Sequence, residues 1–215
     1  MNAEPMIKRV FWHESGHFIA GYYNKHHYGY FGTERFTIKR VETLNQNFDY
    51  TGAHKPKEPE NYVPGTPIKN PAAHVAELAY GCFLQCIYLD NPILSCFDSE
   101  KTGVHGFHDY GDVASVALKF MLSVKDKRTL YDIIYEQFEL IKDNSEFKEL
   151  FEISIEDLIQ FDEPIIDIDP VELEKRFKNF LIVHEKTYKR FVEKLYGLFY
   201  PYLSQSPSSG NRKKM

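Results

Sequence analysis

EPMIKRVFWHESGHFIAGYYN, residues 4–24, is the stretch on which the reading of the chain turns. Ile7, Val10, Phe11, Phe18, Ile19 and Tyr22 recur at helical spacing, and Pro5 suits a first turn, so the pattern predicts a helix from Glu4 to Asn24. Inside it lies His13-Glu14-Ser15-Gly16-His17, an HExxH motif. On a helix, positions i and i+4 stand one turn apart on one face, so both imidazoles can reach a single cation. Zinc takes nitrogen, oxygen or sulfur donors in tetrahedral geometry, and catalytic sites keep three protein ligands and one open position. His13 and His17 are therefore expected to bind a zinc ion. Glu14, beside the first ligand, is the expected catalytic base, taking a proton from the attacking water and delivering it to the leaving amine. Phe11, Ser15, Gly16, Phe18 and Ile19 are uncharged, as a buried metal helix requires, and small residues between the histidines let a second backbone come close. The competing reading is two histidines on a solvated or hydrogen-bonded helix face.

Beyond this helix, Phe36, Ile38 and Val41 alternate with charged residues as a strand would, and Phe48 to Gly52 offers a second strand of the same sheet. Pro, Lys, Glu and Gly between Lys55 and Pro71 predict an irregular loop. Asn70-Pro71 then opens an apolar helix over residues 72–89. Asp90 to His108 reads as a loop, and a further helix starts near Asp109 and runs to Val124. Residues 130–143 and 145–161 carry apolar positions three and four apart and are expected to be helical. Asp169-Pro170 caps a long final helix that ends at Pro201, and Ser204 to Met215 is expected to be disordered. The fold class is therefore α+β and mostly helical: an HExxH helix with a small sheet, followed by a C-terminal helical region. The expected division is 1–125, 126–203 packed on it, and the tail 204–215, with one continuous domain as the alternative.

Composition narrows the function. Apolar residues make up 43% of the 215, enough for a packed core. The net charge is -5 with no basic stripe before the last few residues, which argues against nucleic acid as a partner. Cys82, Cys86 and Cys96 are an odd number without paired metal spacing and read as small apolar core residues in a reduced, cytoplasmic protein. The charged N-terminal residues do not read as a signal peptide, and no run of 18 apolar residues occurs, so no membrane span is expected.

Several segments in order resemble the FtsH-like zinc peptidases. HESGHFIAG is similar to their metal helix, ERFTIKR to the strand that follows, DYTGAHK to an edge strand and HVAELAYG to a helix bearing an AAE segment, between about Ile7 and Val124. The resemblance implies a zincin-like fold and a third zinc ligand from an aspartate that opens a further helix. The family's aspartate is followed by apolar or small residues at +1, +4, +7, +8, +11 and +12. From Asp109 these are Tyr110, Val113, Val116, Ala117, Phe120 and Met121, which fits throughout; from Asp112, Lys119 falls at +7. Asp109 is thus the implied ligand and Asp112 the alternative. Their other roles are a helix N-cap for Asp109 and a charge complementing the helix dipole for Asp112. Glu77 is a third candidate, because another zincin class takes its last ligand from a glutamate on the second helix. The resemblance instead implies that Glu77 orients a zinc-bound histidine. His105 and His108 precede Asp109 and can line the cleft or steady an oxyanion, but loop histidines are more often solvent-exposed and neither is assigned to the site; His26, His27, His54, His74 and His184 have no ligand spacing.

Two features depart from the family: the 215 residues hold no Walker-type Gly-rich loop and no membrane span, and the acidic C-terminal helices match nothing in it. The expected function is a soluble, ATP-independent zinc metallopeptidase acting on a peptide or protein substrate. The alternative is a catalytically inactive zinc-binding interaction module whose C-terminal helices dock a protein partner or a second copy. A third reading is a structural helical protein with a fortuitous HExxH. Phe177, Phe180, Leu181, Tyr188, Phe191 and Leu195 along the final helix suit an intramolecular core.

Overall fold

A computed structural model describes residues 4–42, 48–57, 70–97, 106–159, 161 and 163–203. Most of the expected 55–71 loop, His105 and the tail from Ser204 lie outside the described residues. The HExxH segment forms helix α1, Glu4–His27, three residues longer than its periodicity predicts. From Val10 to Asn24 it is buried on almost every side. A helix so enclosed needs partners all round, and it has them in a sheet and two long helices.

The sheet has three antiparallel strands in the order β2-β1-β3, with β1 at Thr33–Glu42, β2 at Phe48–Pro56 and β3 at Ile165–Ile168. Ile38 lies opposite Gly52 and Phe36 opposite His54, while Ile166 and Ile168 face the same two β1 residues from the other side. Phe36, Ile38, Ile166 and Ile168 are all buried, one alternating face turned inward. Phe36 stacks on Phe11 of α1 at 5.7 Å. Among the described residues β2 is an outer strand, paired with β1 on one side only.

Helix α2, Pro71–Tyr88, starts as its sequence dictates: the Asn70 side chain accepts from the Ala73 N–H at 3.1 Å, and Pro71 occupies the first turn. It packs on α1 with no side chain between the backbones at one point. A Cβ on Gly16 would fall on the Tyr80 carbonyl and the Gly81 nitrogen. The interaxial distance of two helices is set by the side chains at their contact, and glycine reduces it to a minimum.

Helix α3, Gly106–Lys119, begins three residues before Asp109 and stops short of Val124. Met121 takes a φ of +52° there, and Ser123 caps the next helix, α4 (Val124–Ile141), by accepting from Asp126 N–H at 3.1 Å. The expected helix over 145–161 is also cut short: α5 covers only Ser145–Phe151. Past it, Glu156 accepts from the Ile155 N–H at 3.0 Å and from Ser154 Oγ at 3.1 Å, a side-chain alternative to the helical ladder. The region beyond Lys125 is not helical alone, since β3 lies within it. The expected final helix divides at Phe177 into α6, Pro170–Arg176, and α7, Lys178–Leu203, which runs through Pro201 instead of ending there. Residues 90–108, expected as loop, include a short 3₁₀ turn at Ile93–Phe97.

The apolar core runs across the expected division at Lys125. Trp12 lies parallel to Phe177 at 6.1 Å, Tyr23 stacks on Tyr188 at 4.8 Å, and Phe83 meets Phe191 at 5.8 Å. No helix among the described residues is long and apolar enough to cross a membrane. Because Phe177 is fully buried between α1 and α7, Phe177→Ala should lower the unfolding free energy by about 3–5 kcal/mol. Chemical denaturation measures it, and a loss below about 1 kcal/mol would show that the C-terminal helices are not seated on α1.

Candidate metal centre

The two histidines of α1 point the same way, and the start of α3 delivers a carboxylate to meet them. His13 Nε2 and His17 Nε2 are 3.1 Å apart, and Asp109 Oδ2 stands 3.1 Å from the first and 3.4 Å from the second. Around zinc, bonds of about 2.0–2.1 Å at tetrahedral angles place donors roughly 3.3–3.4 Å from one another. The three atoms thus stand at nearly the spacing of three corners of a zinc tetrahedron. Asp112 is exposed and does not line the cleft, and the Glu77 carboxylate turns to other partners. Of the three acidic candidates, the fold brings Asp109 to the histidines.

The protons of this cluster follow from its hydrogen bonds. His17 Nδ1 lies 2.9 Å from the Glu77 carbonyl. A carbonyl only accepts, so Nδ1 carries the hydrogen and Nε2 of a neutral His17 presents a lone pair to the other two donors. Lone pairs crowded in a buried place need a cation between them, either a proton or a metal. Burial alone would push His17 down, but Asp109, and then Glu14 and Glu77, outweigh it and hold its pKa at about 10. Burial would likewise raise Asp109, yet His17 and His13 keep it well below the usual carboxylate range. The donor set, two imidazoles and a carboxylate, is one that zinc accepts.

Glycines make the room. A Cβ on Gly81 of α2 would strike the His17 ring, and one on Gly52 of β2 would strike the Glu14 carboxylate. Glu14 is therefore pressed against the outer strand, in a cleft of about 320 Å³ that His13, His17 and Asp109 also line. Thr51, Gly52, Ala53 and His54 form its β2 wall, His74, Glu77 and Leu78 its α2 wall, and His108 stands beside Asp109. His54 is outside the donor groups that form among the described residues. It lies parallel to His17 with ring centres 6.1 Å apart and hydrogen-bonds Thr33 Oγ1 at 2.7 Å. Burial, then the His17 charge, pushes its pKa down to about 3, so it is neutral.

The other singled-out residues fall into place differently. His184 is fully buried between Tyr80 and Glu146, and His27 pairs with Glu185 at 3.0 Å. The three cysteines are free and buried, as core residues would be. Cys82 also sits 3.8 Å from Asp109 Oδ2, and its thiol is pushed up to about 11, chiefly by burial. Together with Cys96 and His13 it forms a second, overlapping group of donors. The sequence holds no signal for Gly52, Gly81 or Cys82, because each owes its place to a residue on another element: Glu14, His17 and Asp109 respectively. His74 is the exception: it is one turn before Glu77 on an apolar helix, where a polar residue marks a face turned to a cleft.

His17 is held protonated up to about pH 10, so a zinc ion bound at its Nε2 would have to displace that proton. Zinc affinity should then rise about tenfold per pH unit from about pH 6 to 9, with one proton released per ion. Calorimetry in buffers of different ionisation enthalpy counts the proton; a flat profile would show that His17 holds no such proton in the metal-free chain. Those measurements carry what kinship would otherwise carry: comparison of the chain with family models, curated proteins and solved structures finds no match.

Proposed function

We propose that this chain is a zinc-dependent metallopeptidase of zincin-like design. The observation that carries the reading is the joint placement of His13, His17 and Asp109 at tetrahedral donor spacing with Glu14 in the same cleft. His13 Nε2, His17 Nε2 and Asp109 Oδ2 would hold the ion. When bound there, zinc supplies Lewis acidity, polarising a carbonyl and making water a nucleophile near neutral pH.

The rest is the work of the chain's own groups. Glu14, seated in the space that Gly52 leaves beside the cleft, takes a proton from the attacking water on its carboxylate and returns it to the departing amine. The outer edge of β2 runs along the cleft through Thr51, Gly52, Ala53 and His54. An extended peptide can pair with such an edge through main-chain hydrogen bonds, which places its own carbonyls beside the metal ligands and fits substrates that are locally unfolded. The Glu77 carbonyl holds His17 with Nε2 outward, preserving the tautomer that ligation needs.

One observation favours a second reading. Cys82, 3.8 Å from Asp109 Oδ2, is close enough to compete for the fourth ligand position, which would make a closed, structural zinc centre. Glu14→Gln and Cys82→Ser separate the two. For a peptidase, Glu14→Gln should keep stoichiometric zinc and lower hydrolysis of an unstructured protein such as casein by about 100-fold or more, and Cys82→Ser should keep both zinc and activity. A closed centre predicts the reverse: no hydrolysis to lose, and zinc released by Cys82→Ser.

A further inference from the structure

Helix α7 reaches the metal centre through a buried chain of hydrogen bonds that neither the ligands nor the base explain. Tyr188 on α7 and Asn24 on α1 are both fully buried. The Asn24 side-chain nitrogen faces two groups that only accept, the Ala73 carbonyl at 3.0 Å and Glu77 Oε2 at 2.9 Å. That settles the amide's orientation without sight of a hydrogen, since the opposite flip would set oxygen against two oxygens. Asn24 Oδ1 therefore faces Tyr188, whose hydroxyl must donate to it, at 2.7 Å. The next contact is the Glu77 carbonyl on His17 Nδ1, at 2.9 Å.

Asn24 stands seven residues after His17, two turns along the same face of α1. Its amide bridges Ala73 and Glu77, four residues apart on α2, and so holds one turn of that helix from the side. The carbonyl that orients His17 belongs to that turn. A plain core polar pair has no need to end on the residue whose carbonyl fixes a ligand.

We propose that Tyr188 and Asn24 are positioning residues of the metal centre, so that the final helix is part of the zinc site and not an appendage to it. The inference rests on the zinc reading of the cleft. Loss of the Tyr188 hydroxyl leaves the Asn24 oxygen buried without a donor; the amide then turns or the α2 turn shifts, and the His17 ring moves with it. Outer partners of metal-bound histidines typically govern affinity by about 10–100-fold.

A neighbouring tyrosine provides the control. Tyr23 is equally buried, and its hydroxyl also ties α1 to α7, donating to the Leu181 carbonyl at 2.9 Å; among the described residues that hydroxyl makes no hydrogen bond to Asn24 or Glu77, and phenylalanine keeps the ring that stacks on Tyr188. The experiment measures zinc dissociation constants by chelator competition, cobalt(II) absorption spectra, and metal-free melting temperatures for wild type, Tyr188→Phe, Asn24→Asp and Tyr23→Phe, all of nearly conserved volume. Tyr188→Phe and Asn24→Asp should each weaken zinc binding roughly tenfold and shift the cobalt bands, in variants that still melt cooperatively. Tyr23→Phe should lower the melting temperature comparably and leave zinc affinity and spectrum unchanged. Wild-type affinity in folded Tyr188→Phe, or an equal loss in Tyr23→Phe, overturns the proposal while the zinc centre stands. A wild-type chain that takes up neither zinc nor cobalt overturns both.

Discussion

Everything in this molecule depends on how closely α1 and α2 approach. At Gly16 the α2 backbone fills the space a side chain would need, and at Gly81 the His17 ring does. That approach sets the Glu77 carbonyl on His17 Nδ1 and brings Cys82 and the start of α3 beneath the ligands. A methyl group at the crossing would force the helices apart by more than a hydrogen bond tolerates, and the orientation of His17 would go with it. Gly16, in the middle of the motif, is small for the sake of the neighbouring helix.

The second constraint is electrostatic. His13, His17, Glu14, Glu77 and Asp109 gather around one small cleft, most of them buried. Burying an ionisable group costs several kcal/mol unless a partner or a proton offsets it. Here the offsets are mutual: His17 is kept charged by Asp109, Glu14 and Glu77, while burial raises Glu77, which has the Asn24 amide to hold it. An arrangement of this kind is tuned to a positive charge at its centre. Fixed donors at metal spacing lose little on binding because their order is already established by the surrounding hydrogen bonds.

What could be read from residues alone was whatever is local. The HExxH face, the Asn70-Pro71 start of α2 and the alternation of Phe36 and Ile38 are each set by neighbours in the chain, and each appears where its period puts it. The placement of Asp109 beside His13 and His17 was legible only through a resemblance in the order of segments, since nothing within its own helix says which residues the fold brings to it. Helix ends were poorly legible for a physical reason: Met121 leaves the helical region and Ser154 turns to Glu156, both local competitions that periodicity does not weigh. β3 was missed because four residues with two inward positions make a strand only when β1 lies beside them. Asn24 reads as an ordinary polar residue near a helix end; only the fold reveals that it stands between Tyr188 and Glu77.

The outer edge of β2, unpaired among the described residues, has a consequence of its own. A strand that can accept a stranger's main chain can equally accept the same strand of another molecule, the first step toward fibrils. This edge carries devices that discourage such pairing. Its last residues are His54, Lys55 and Pro56, and Asp49 near its start is held by Arg9 of α1 at 3.1 Å. Lysine brings charge and proline removes a donor, so the stretch open to a visitor is confined to a few small residues beside Glu14. The stretch left unpaired among the described residues and the features that discourage sheet-to-sheet pairing are thus divided between the middle of one short strand and its ends.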